Sequence, residues 1–138
     1  MSISGYPDYG QLSHRVGMID TVLHSLNGAA IGKVLLQGKA NTLYKIIYCQ
    51  LIGTDNALDY LMLYYRRTSD ASEMTIYYNK VVTPGAPYLI PTYFYIVGDD
   101  RLYLYIKAAA ATDSWVQCYA MYEEFYIPDD FKMVRADE

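Results

Sequence analysis

From about residue 31 to residue 126 the chain is cut by turn-forming clusters, and each interval between them holds one run of β-branched and aromatic residues. The clusters are Gly53-Thr54-Asp55-Asn56, Ser69-Asp70-Ala71-Ser72, Thr83-Pro84-Gly85, Gly98-Asp99-Asp100 and Ala108–Ser114. Between them the pattern predicts strands over Tyr44–Ile52, Asp59–Thr68, Met74–Val82, Tyr88–Val97, Arg101–Lys107 and Trp115–Phe125, with one or two more near Ile31–Leu36. Arg101–Lys107 alternates most cleanly, with Leu102, Leu104 and Ile106 on one side and Tyr103 and Tyr105 on the other. Pro91 demotes the first half of its run to an edge or a bulge, because proline has no N–H to give a ladder. Strands spaced about a dozen residues apart, joined by turns with no second helical pattern, fit an antiparallel sandwich rather than a βαβ fold. The expected fold is all-β: one antiparallel β-sandwich, jelly-roll-like, with a core including Leu102, Leu104, Ile106, Val116, Cys118, Ile47 and Leu51.

The ends read differently. Residues 1–30 form an N-terminal arm and a short amphipathic segment, 31–126 the sandwich, and 127–138 a charged tail. Val16, Ile19, Val22, Leu23 and Leu26 recur at a spacing that suits a short helix over Ser13–Leu26, with a strand as the alternative. Residues 2–11 mix Tyr6 and Tyr9 with Gly5, Pro7 and Gly10, an extended arm whose rings would anchor against a partner.

Function must come from surface rather than from motif. The only histidines are His14 and His24, and no hydrolase, zinc-protease, phosphate-loop or dinucleotide pattern occurs. Asp99-Asp100 and Asp129-Asp130 are adjacent pairs, read as solvated turn acids rather than metal ligands. Glu123-Glu124 reads as the charged end of a strand, and with Asp59 it makes no recognisable glycosidase pair. No catalytic residue, metal site or cofactor is expected. Cys49 and Cys118 read as buried free thiols, with a single disulfide open if their strands are neighbours. A net charge of −4, with no cationic cluster larger than Arg66-Arg67, argues against nucleic acid as a partner. No apolar run is long enough for a membrane-crossing helix, and the first ten residues show no export signal.

Tyrosine is the outlier, with 17 residues against three Phe and one Trp. Several strands carry it on the face where polar residues would be expected. A sandwich with one wet face per sheet should alternate apolar with polar. Strands that are aromatic on both faces point to a second burial, since Tyr and Arg are enriched at interface cores. The candidate contacts are Tyr6, Tyr9, Tyr60, Tyr64, Tyr93, Tyr95, Tyr103 and Tyr105, within a homo-oligomer, dimer or trimer.

The strand text also resembles a known group. Thr42-Leu43-Tyr44 opens an apolar strand ending at Gly53-Thr54-Asp55, a strand through Tyr64-Tyr65 follows, and Gly98-Asp99-Asp100-Arg101-Leu102 forms a hairpin before the last strands. Over about residues 40–126 this order resembles the small β-sandwich virion proteins of tailed bacteriophages. The tyrosine content and the Ser13–Leu26 segment depart from that group. The resemblance implies a non-enzymatic structural protein of a phage particle, a capsid cement or decoration protein assembled in the host cytoplasm. Its partner would be the major capsid protein or another virion protein. Two alternatives stand beside it: a tail or fibre adaptor, and a carbohydrate-binding, lectin-like module in which Trp115, Tyr103 and Tyr105 stack on sugar rings.

Overall fold

The computed structural model describes residues 15–53, 57–79, 85–91 and 93–128. In chain order the strands are β1 Arg15–Ser25, β2 Ala30–Gln37, β3 Thr42–Ile52, β4 Leu58–Arg66, β5 Glu73–Asn79, β6 Pro87–Leu89, β7 Phe94–Val97, β8 Arg101–Ala108 and β9 Ser114–Tyr126. They build two antiparallel sheets. One runs β1-β9-β3 and continues on the far side of β3 into β6 and β7; the other runs β2-β8-β4-β5.

β6 and β7 are one strand interrupted around Pro91. β7 pairs with Leu43–Ile46 of β3, and β6 with Gln50–Ile52. Between them the Ile90 N–H still donates to the Cys49 carbonyl at 3.0 Å, and at Pro91 the ladder stops for want of a donor. With these two halves taken together, the first strand pairs with the last, the second with the next to last, and so on inward to the β4–β5 hairpin. That nesting is a long hairpin rolled up, the jelly-roll connectivity.

The core lies between the sheets. Leu61, Leu63, Leu102, Leu104 and Ile106 of the four-stranded sheet meet Ile46, Leu51, Ile96, Val116 and Cys118 of the other, all at 0–1% exposure. Full burial of each such aliphatic side chain contributes about 1.5–3 kcal/mol.

Two expectations are corrected. The segment proposed as a short helix is strand β1, paired with β9 without a break from Arg15↔Glu124 to Ser25↔Ser114. Its helix-like spacing arose because both faces carry apolar residues: Ile19 and Leu23 are buried, while Val16 and Val22 point outward and are exposed. Four β-branched residues within seven positions, and β9 alongside as a partner, favour the strand. Ile47, expected in the core, is 42% exposed. The β3–β9 register slips between Ile46 and Tyr48, a bulge at Ile47. Inward residues are Thr42, Tyr44 and Ile46 before it and Cys49 and Leu51 after it, so one extra residue reverses the parity.

The two cysteines stand on neighbouring strands. The register sets Cys49 against Ala120 and Cys118 against Leu51, so the thiols meet diagonally. Both are free and buried, and they hydrogen-bond to each other; that bond, together with burial, pushes the Cys118 thiol up.

Candidate functional site

The outer face of the four-stranded sheet is a tyrosine ladder. β4 sends Tyr60, Met62 and Tyr64 outward because Leu61, Leu63 and Tyr65 fill the core. β8 sends Tyr103 and Tyr105 outward because Leu102, Leu104 and Ile106 do the same. The β4–β8 register then brings the rings together. Tyr64 and Tyr103 are directly opposite and stack at 5.2 Å with planes 9° apart. Tyr60 and Tyr105 stack at 5.8 Å and 8°. Such cross-strand aromatic pairs add about 0.5–1.5 kcal/mol each beyond their burial.

Charge brackets the ladder. Beyond Tyr60 the Lys107 ammonium contacts Asp59 at 2.7 Å. At the other end the Arg66 guanidinium lies 5.9 Å from the Tyr103 ring centre, and Arg101 stands opposite Arg66. Beside the ladder, Gly32 on β2 faces Tyr105, and the ring occupies the space a Cβ would need, 2.5 Å from its Cδ2. Burial pushes the hydroxyls of Tyr60 and Tyr64 up, with the neighbouring Tyr105 hydroxyl adding at Tyr60 and the Glu73 carboxylate adding at Tyr64.

The five-stranded sheet turns a different surface outward. Val16, Met18 and Val22 of β1 are exposed, and Met18 and Met121 are opposite each other in the register, as are Met121 and Tyr48. Tyr48 and Tyr119 meet edge to face at 6.2 Å. Along the β7 edge Tyr93 and Tyr95 pack edge to face at 5.9 Å, with the Lys45 ammonium 4.6 Å from the Tyr93 ring centre.

The candidate contact tyrosines therefore fall into two groups on opposite sides. Tyr60 with Tyr105 and Tyr64 with Tyr103 form two stacked pairs on one sheet; Tyr95 belongs to β7 of the other sheet, with Tyr93 just ahead of it. Tyr64 is almost wholly covered by its neighbours, whereas Tyr93 is 58% exposed. Tyr6 and Tyr9 lie outside the described residues, as do the rest of the 2–11 arm, His14 and the Asp129-Asp130 pair.

The acidic pairs separate as well. Asp99 is exposed, but Asp100, expected to be a solvated turn acid, is 1% exposed. Its carboxylate accepts from the Tyr65 hydroxyl and from the Thr68 N–H at 2.9 Å, so its role is to tie turns together. Glu124 turns inward and accepts from the Tyr44 hydroxyl. Burial first, and then the Glu124 charge, push that hydroxyl up to about 12. Glu123 faces outward opposite Lys45, and Asp59 sits on the other sheet. Among the described residues no three metal-ligating side chains gather. Sequence reading missed the meeting of Arg101 with Arg66. Only the β4–β8 register, which fixes Tyr64 against Tyr103, would have shown it.

No protein-family model matches the chain, and no curated protein matches its sequence. Its fold is shared with solved structures. A chain of infectious bursal disease virus, Gx strain, is similar at TM-score 0.51 and 17% identity, over 83% of this chain and 33% of that one. The VP2 subviral particle of the same virus gives 0.48 and 14% over 83% and 33%, and the cyanophage Pam1 capsid asymmetric unit 0.46 and 15% over 92% and 94%. The chain spans about a third of the length of the bursal disease virus chains it matches. At this identity the first likeness establishes the jelly-roll sandwich, and function rests on the surfaces described above.

Proposed function

We propose that the chain is a non-enzymatic structural component of a viral particle, a capsid cement or decoration protein that bridges neighbouring major capsid subunits and self-associates as a dimer or trimer. The observation that carries this reading is the tyrosine ladder on the outer face of the four-stranded sheet, with apolar Val16, Met18 and Val22 outward on the other. A sandwich that lived alone would turn polar residues outward there. Contiguous apolar patches beyond a few hundred Å² mark interaction sites, and Tyr with Arg is the composition of interface hot spots. The jelly-roll likeness to a viral chain supports the setting. A protein that binds only the assembled shell stabilises it by mass action, without chemistry.

The stacked geometry bears on the sugar-binding alternative. Tyr103 and Tyr105 each have one ring face taken by Tyr64 and Tyr60, which leaves less aromatic surface free to receive a sugar. The test is quantitative mass spectrometry of gradient-purified particles from cells that make the protein. The expected result is a fixed ratio to the major shell subunit. Its absence from the particle fraction, with the protein recovered only free, overturns the proposal.

A further inference from the structure

One end of the tyrosine ladder holds a cavity of about 120 Å³ lined by Arg66, Arg67, Thr68, Ala71 and Arg101. Three arginines thus line one cavity in a chain whose net charge is −4. Two of them, Arg66 and Arg101, are directly opposite in the β4–β8 register, where like charges destabilise a sheet. Arg101 adds a second anomaly: its Nε is buried and has no hydrogen-bond partner among the described residues. A buried donor without an acceptor is costly, and a guanidinium fork matches the oxygens of an oxyanion.

Acidic side chains stand nearby as well. Glu73 stands opposite Arg66 on β5, and Asp70 lies 3.6 Å from Arg67. Asp70 also accepts from the Ser72 N–H and hydroxyl, and Asp100 has the Tyr65 hydroxyl and the Thr68 N–H among its donors. None of these carboxylates lines the cavity. Its frame is fixed before any ligand arrives. The Arg67 N–H closes the turn on the Ser72 carbonyl at 2.9 Å, and the Thr68 hydroxyl donates to the Asp99 carbonyl at 2.7 Å.

We propose that this cavity binds a tetrahedral oxyanion, phosphate or sulfate, between Arg66, Arg67 and Arg101. A tetrahedral dianion presents an oxygen to each of the three guanidiniums. The group is either a free ion or the head of an ester, since both carry the same chemistry.

The experiment titrates the full chain with inorganic phosphate at constant ionic strength, set with sodium chloride, and follows melting temperature and backbone amide shifts. The expected result is a saturable rise in melting temperature, with the Thr68 and Ala71 amides shifting along the same isotherm. Arg101→Gln should raise the phosphate Kd about tenfold, the loss of one charge-assisted contact. Lys107→Gln, at the far end of the ladder, should leave it unchanged. Methyl phosphate binding as tightly as inorganic phosphate assigns the site to esters, and weaker binding assigns it to the free ion. Phosphate acting no differently from chloride, or Lys107→Gln weakening binding as much as Arg101→Gln, overturns the proposal. Should Arg101→Gln fail to fold, absence of localised amide shifts in the unaltered chain overturns it equally.

Discussion

The Tyr65 hydroxyl, carried on β4, donates to the Oδ2 of Asp100, the residue immediately before β8. The same hydroxyl accepts from the Val97 N–H at 3.2 Å, and the other Asp100 oxygen accepts from the Thr68 N–H at 2.9 Å. One buried carboxylate thus ties the β4–β5 turn to the β7–β8 turn, which crosses from one sheet to the other, at one end of the sandwich. Removing it takes the acceptor from the buried Tyr65 hydroxyl and from the part-buried Thr68 N–H. Asp100→Ala is expected to cost about 2–5 kcal/mol and Tyr65→Phe about 1–3 kcal/mol, read by urea unfolding. A loss below about 0.5 kcal/mol for Asp100→Ala would mean that the donors find other acceptors.

Gly38 closes the same end. Its N–H donates to the Asp100 carbonyl at 2.8 Å, and a Cβ there would lie 2.1 Å from the Gly98 carbonyl oxygen and 2.6 Å from that of Asp100. Both obstacles are backbone and cannot rotate away, so Gly38→Ala is expected to cost about 3 kcal/mol or more. Gly98→Ala supplies the contrast: its Cβ meets open space, and the penalty is only the left-handed φ of 58°, about 1–2 kcal/mol. Comparable melting temperatures for the two variants would contradict this division.

The bulge in β3 makes neighbouring isoleucines unequal. Ile46→Ala should cost about 2–5 kcal/mol because it opens a cavity in the core. Ile47→Thr should fall within about 0.5 kcal/mol of the parent. Equal losses would place Ile47 inside and remove the bulge.

That pair marks where the sequence stops being legible. Alternation in Arg101–Lys107 and the turn clusters were enough to place the strands and the sandwich, because a period of two with one buried face admits a single register. A bulge has no composition of its own, and nothing in Lys45-Ile46-Ile47-Tyr48 says which isoleucine is the extra residue. β1 was ambiguous for a related reason: with apolar residues on both faces, spacing no longer distinguishes helix from strand. Parity singled out Tyr60, Tyr64, Tyr93, Tyr95, Tyr103 and Tyr105, but not Tyr48, Tyr78 or Tyr126, which are exposed as well. The sorting of the former into stacked pairs on one sheet and an edge pair on the other depends on pairing between distant strands. So does the burial of Asp100, which a turn motif alone reads as solvated.

Tyr44 gives the fold an alkaline limit. Its hydroxyl, buried beside Glu124, ionises at about pH 12 in the folded chain and near 10 when unfolded. The folded state therefore holds a proton that the unfolded state has released in that window. Its stabilisation is complete below pH 10 and is lost as pH rises toward 12. Tyr60, Tyr64 and Tyr77 shift in the same direction, chiefly through burial. Absorbance titration at alkaline pH should show a set of tyrosines that ionises only as the chain unfolds. Tyr44→Phe should soften the alkaline loss of stability; an unchanged pH profile would remove Tyr44 as its source.

The tyrosine ladder separates stability from assembly. Tyr64 is covered by its neighbours, so its ring acts mainly within the chain, whereas Tyr103 and Tyr105 keep more outward surface. Tyr103→Phe retains the stacked ring and removes only the hydroxyl. It should leave unfolding within about 0.5 kcal/mol and assembly nearly intact. Tyr103→Ala removes the ring that covers Tyr64, and a double-mutant cycle with Tyr64→Ala should return a coupling of about 0.5–1.5 kcal/mol in monomer stability. If the face is an interface hot spot, Tyr105→Ala should also weaken self-association or particle binding by at least about tenfold, beyond its effect on folding. Sedimentation and particle co-sedimentation, scored per folded molecule, read that difference. An Ala variant that melts earlier yet binds as tightly as the parent would make the ladder a purely internal brace, and would shift the docking role to Val16, Met18 and Val22 on the opposite sheet.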